Sequence, residues 1–178
     1  MINRLLSDPV RLVFVSCLLL IDTACASPDT SHHPVNCDPP ARADAISSTH
    51  LSVLTLNMAH GRKNAINQML QRSSKTRQNL EEIAEFLSNS RADLIALQEA
   101  DYPSRWSGEF NHVDYISQRS PYPCRIHASH AKKRLYDFGT ALLSKVPYTN
   151  SLMHTFVPSP PTTNKGFVMG EVLWNPGN

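Results

Sequence analysis

The stretch "VLTLNMAHG" closes an apolar run on Asn57, and "ADLIALQEAD" closes another on Gln98, Glu99 and Asp101. An amide and a carboxylate at the ends of two core-type runs are the side chains here best suited to chemistry. Both are hard oxygen donors, and such donors suit Mg²⁺, which keeps several of its waters and needs few protein ligands. Asn also ends strands because it suits turns, so the pair matters only if the intervening elements bring the two tips together. Arg105 and Trp106 follow Glu99 in a loop. There an Arg can hold a phosphate and a Trp can stack on a base or touch lipid. Lys165, after a Pro/Thr-rich loop, is a further phosphate-reaching candidate, and His60, just beyond Asn57, reads as a turn residue in preference to one facing the cleft. His127 and His130 in "HASH" have no Cys or acidic partner framing them, so no zinc site is expected. The sequence has no Walker A, GxGxxG or GxSxG motif, which removes P-loop, dinucleotide and serine-hydrolase chemistry.

The elements between the candidates decide whether they meet. Leu51, Val53, Leu54 and Leu56 read as a strand meant for burial. Leu80, Ile83, Ala84 and Leu87 recur at i, i+3, i+4 and i+7, with Glu81, Glu82 and Glu85 between them. That spacing predicts an amphipathic helix over 75–88, capped by Ser73 or Ser74 and stopped by Asn89 and Ser90. Leu94 to Leu97 then form a second short apolar run. Strand, helix, strand is a βαβ unit, with parallel strands and a right-handed crossover. Its two C-terminal strand ends lie on one edge, about 4.8 Å apart or twice that, where ligands of α/β sheets gather. Downstream, "EFNHVDYISQR" predicts a short helix with Phe110, Val113 and Ile116 on one side. Strands are expected over 140–143, toward Phe156 and in "KGFVMGEVLW", forming an antiparallel or mixed portion.

The bulk numbers fit one domain with a real core: 178 residues, 41% hydrophobic and 18% charged, with a net charge of +2. That charge marks neither a polybasic nucleic-acid binder nor an acidic solvating chain, although a local patch can hide in it. Arg4 and Arg11 precede "LVFVSCLLLI", and "ACA" follows, so residues 1–26 read as an export signal to the periplasm or the exterior. Lipid anchoring through Cys25 is the less favoured alternative, because Asp22 sits where lipoprotein signals want an aliphatic residue. Without that signal no transmembrane span is expected, and Cys37 and Cys124 are left as an even pair, predicted to form a disulfide. Residues 27–49, rich in Pro, Ser and Asp, read as a flexible linker or an arm that orders on contact. Residues 50–178 are the domain proper.

At this point "VLTLNMAHG", "ADLIALQEAD", "GTALLSKVPY" and "NKGFVMGEV" resemble successive blocks of the endonuclease/exonuclease/phosphatase superfamily, which includes DNase I, inositol polyphosphate 5-phosphatases and neutral sphingomyelinases. The resemblance implies an α/β fold of the DNase I-like type, a four-layer α/β/β/α sandwich, and Mg²⁺-dependent phosphoester hydrolysis. It places Asn57 on the family's metal-site Asn and Glu99 on its metal-ligand Glu, both catalytic. Lys165 and Gly166 are similar to a segment of the sphingomyelinase-like branch. The "GD.N" block, an ordering Asp and the general-base His of the family have no counterpart in the sequence, so an incomplete N-terminal portion, inactive alone, is expected. The expected substrate is a phosphoester, either a lipid headgroup (a phospholipid among the options) or another small phosphoester. A secreted nuclease of the same fold, or a non-catalytic exported binding domain, are the alternatives.

Overall fold

A computed structural model describes residues 29–62 and 73–176, so the expected export signal lies outside the described residues. The βαβ unit is present. β3 (Val53–Asn57) and β4 (Leu94–Asp101) are joined through α1 (Ser73–Ser90) and run parallel, with Val53 opposite Leu94 and Asn57 opposite Gln98. The upstream strands β1 (Asp29–His32) and β2 (Asn36–Cys37) complete the N-terminal half. After β4 come α2 (His112–Ser117), β5 (Cys124–Lys132), β6 (Asp137–Ser144), β7 (Tyr148–Thr155) and β8 (Gly166–Val172). They form a five-stranded sheet in the order β2-β5-β6-β4-β3 and a three-stranded sheet in the order β1-β7-β8. Only β3 and β4 pair in parallel within these sheets.

The layers follow from the apolar faces. Leu80, Ala84 and Leu87 of α1, with Val113 and Ile116 of α2, are buried against Ile95, Leu97, Ala141 and Leu143 of the five-stranded sheet. On the opposite face, Cys124, Ile126 and Leu142 meet Tyr148, Val168 and Val172 of the smaller sheet. The order helix, sheet, sheet is an α/β architecture of the DNase I-like type. The smaller sheet packs against β5 and β6. Val53, read as buried, is therefore 61% exposed: it points to the face of edge strand β3 that faces away from α1, while Leu54 and Leu56 turn to the core.

The Pro-rich segment before β3 behaves as an arm. β1 pairs antiparallel with β7, and β2 places Cys37 opposite Cys124, with which it forms a disulfide of S–S distance 2.09 Å. Ile46 adds a parallel bridge to Trp174. Backbone donors and acceptors of this polar segment find strand partners at two sheet edges, which is why it lies along the molecule. β5 had no expectation: the polar residues of "CRIHASHAK" hide its alternation. No helix among the described residues is long and apolar enough to cross a membrane.

Candidate functional site

Asn57 and Glu99 meet at the C-terminal ends of β3 and β4, where Asn57 Nδ2 donates to Glu99 Oε1 at 3.0 Å. Asn57 Oδ1 accepts the Ala59 N–H at 2.8 Å, an Asx turn that fixes which way the amide faces. The chain then turns through three consecutive left-handed residues, Ala59, His60 and Gly61, at φ 46°, 55° and 70°. Gly61 suits this: a Cβ there would lie 3.1 Å from Thr76 Cγ2 and 3.3 Å from Leu80 Cδ2 of α1, as well as being strained.

Glu99 is placed by a second irregularity. The β4–β6 register shifts between Gln98 and Ala100, so Glu99 is the extra residue of a bulge, and its φ is +53°. Bulges re-aim side chains beside functional sites, and a non-Gly residue at such a φ is strain that the surroundings must hold. Across β6 the pattern repeats, with a shift between Ser129 and Ala131 of β5. Gly139 lies opposite both Ala100 and Ser129, between the two bulges.

The turn also brings in two residues that the sequence reading did not select. His60, 6% exposed, reaches Asp101 through Nδ1 at 3.1 Å and Glu99 Oε2 through Nε2 at 3.4 Å. Asp101 is fully buried and has His112 Nδ1 3.4 Å away on its other side. His112 Nε2 donates to Ser107 O, and burial lowers its pKa against the pull of Asp101. The spacing of His60 three residues after Asn57, and of Asp101 two after Glu99, is the sequence signal that could have flagged this pair.

Trp106 stacks on His60 with ring centroids 5.1 Å apart and meets Tyr136 edge-on at 5.2 Å, so it walls the site. Arg105 points outward and lines a separate concavity with Lys133, Arg134, Leu135 and Tyr136. Lys165 is exposed beside β8, where its carbonyl accepts the Phe156 N–H. Among the described residues no hydrogen bond or ion pair joins Arg105 or Lys165 to Asn57 or Glu99. Nor do three or more His, Cys, Asp or Glu gather there to hold a metal ion.

The two histidines of "HASH" diverge. His127 stacks on Tyr102 at 3.8 Å and reaches Ala100 O, whereas His130, the bulged residue of β5, bridges Thr140 and Thr155. Burial pushes His127 down to about 3 and His130 to about 4. Both are thus neutral in the fold, while the unfolded chain takes up protons on them below about pH 6.5. Their contribution is complete above that pH and is lost as pH falls toward 4 and then 3. Urea midpoints should therefore drop between pH 7.5 and pH 5. A midpoint that is flat or rises over that interval would refute the burial of both rings.

No curated protein and no solved structure matches the chain. A profile described as the Endonuclease/Exonuclease/phosphatase family matches residues 54–175, the span from β3 to just beyond β8. Because that span covers more than half of the sequence and carries both strand tips, the chain belongs to this family of phosphoester hydrolases.

Proposed function

We propose that this chain carries the first part of a Mg²⁺-dependent phosphoester-hydrolase site in an exported protein. The carrying observation is the contact of Asn57 with Glu99 at two parallel strand ends, 3.0 Å apart. The donor set fits the ion: one half-exposed carboxylate with an amide beside it suits a cation that retains water. Glu99 is the ligand. Asn57 orients it and the water or phosphate next to it. When bound, Mg²⁺ supplies Lewis-acid stabilisation of phosphoryl and leaving oxygens. Trp106 shields the inner side of the site, while Arg105, in its separate concavity, and the exposed Lys165 are candidate cations for the rest of a phosphoester substrate. The disulfide between Cys37 and Cys124 supports an oxidising compartment and hence export by residues 1–26.

The favoured substrate is a lipid headgroup or another small phosphoester. The concavity of Arg105, Lys133 and Arg134 favours a second reading, a secreted nuclease, since polyanions select such clusters. In either case both nearby imidazoles stand beside Asp101, and His60 also faces Glu99, so neither is assigned as the general base. A missing general base costs a factor on the order of 10²–10⁴. Residues 1–178 alone should accordingly bind a divalent cation yet hydrolyse bis(4-nitrophenyl) phosphate only at background.

Calorimetric titration with Mn²⁺ and a 4-nitrophenol assay test this on wild type and Glu99→Ala. The expected result is a weak site lost in Glu99→Ala, with equal background turnover in both. Equal Mn²⁺ affinity in the two proteins would overturn the metal reading. Turnover abolished by Glu99→Ala would instead show that these residues supply their own base.

A further inference from the structure

The carboxylate of Glu99 has a neighbour at each oxygen. Asn57 Nδ2 holds Oε1 at 3.0 Å and His60 Nε2 faces Oε2 at 3.4 Å. His60 is itself fixed. Its Nδ1 lies 3.1 and 3.3 Å from the two oxygens of Asp101, and its ring sits between Trp106 at 5.1 Å and Phe138 at 4.7 Å. Asp101 has no exposure to water, and a buried carboxylate is costly unless it is bonded. Its hydrogen-bonding side-chain partner is His60 on the turn after β3, while His112 Nδ1 on α2 stands 3.4 Å away without a hydrogen bond. His60 also occupies a left-handed backbone conformation that disfavours most side chains, so the turn is shaped to deliver this ring.

We propose that His60 is a positioning residue for Glu99: anchored by Asp101, it sets the direction in which the Glu99 carboxylate meets a divalent cation. The inference rests on the metal reading of Glu99 given above. A carboxylate on a strained bulge can swing unless both oxygens are restrained, and Asn57 restrains only one. The second restraint is His60, which pairs with Oε2 when its ring carries a proton on Nε2 as well as on Nδ1, and Asp101 transmits the rigidity of the core to it. Outer partners of this kind typically govern metal affinity by about 10–100-fold.

The test is Mn²⁺ titration of the full chain as wild type, His60→Asn, Asp101→Asn, the double variant and Glu99→Ala, with the melting temperature of each. Asn tolerates the left-handed backbone, so His60→Asn keeps the turn while shortening the reach to Glu99. His60→Asn should weaken Mn²⁺ about 10–100-fold. Asp101→Asn should weaken it in the same direction and add little in the double variant, because it acts through His60. A lowered melting temperature with unchanged Mn²⁺ affinity in His60→Asn would overturn the proposal and leave His60 a packing residue. So would additive losses in the double variant. Failure of the underlying reading looks different: there Glu99→Ala itself leaves Mn²⁺ binding intact.

Discussion

Reducing the Cys37–Cys124 bond is expected to lower stability by about 4–5 kcal/mol in the chain-entropy account. The bond spans 87 residues of sequence, so the unfolded chain regains a large amount of freedom when it opens. The folded side loses too. β2 is only two residues long, and its pairing with β5 is too short to hold the arm by itself. Domain stabilities run to about 5–15 kcal/mol, so a loss of this size is about a quarter of the total or more. Urea unfolding with and without a phosphine reductant measures it. Cys37→Ala/Cys124→Ala is a cleaner pair than Ser, since Cys124 is fully buried and a hydroxyl there would need a partner. Identical midpoints in oxidised and reduced protein would show that the bond contributes nothing.

Gly139→Ala should be comparably damaging by a different route. A Cβ at this position would stand 1.9 Å from the backbone oxygen of Ala128 and 3.0 Å from the His130 nitrogen. Neither can rotate away, because both belong to the paired strand β5. Relief requires parting β5 from β6, at a cost of about 3 kcal/mol, the upper end of overpacking. The same residue faces Ala100 across the Glu99 bulge, so the displacement should also blunt divalent binding. A Gly139→Ala protein within about 0.5 kcal/mol of wild type, an ordinary surface-substitution effect, would mean that the two strands are not this close. No property of glycine in the sequence announces that requirement. It arises only when bulges on both neighbouring strands coincide at one point of β6.

What was legible in the sequence divides along the same line. The helix expected over 75–88 is observed as Ser73–Ser90, because its apolar period is local and strong. The parallel pairing of β3 with β4 followed from connectivity alone, and it put Asn57 and Glu99 on one edge. Asn57 and Glu99 could be singled out since each closes an apolar run. His60 and Asp101 had only their spacing after Asn57 and Glu99 to mark them, since a histidine in a turn and an acid at a strand end are common, and their meaning comes from facing each other across two elements. β5 was hidden by its polar residues: His127 and His130 are buried through contacts to Ala100, Thr140 and Thr155, none of which is near in sequence. The arm was ambiguous for a related reason. Its strands are too short to have a period, and their partners lie far downstream.

That arm also constrains the order in which the molecule can be assembled. β1 waits for residues 152–155 and β2 for residues 124–125, while Ile46 waits for Trp174. During synthesis the first described segment to emerge is thus among the last to find its place. The βαβ unit and α2 can close on local contacts long before. Non-local pairings of this reach slow folding, and they keep an unpaired strand and a lone thiol at Cys37 waiting in the nascent chain until most of the domain has been made.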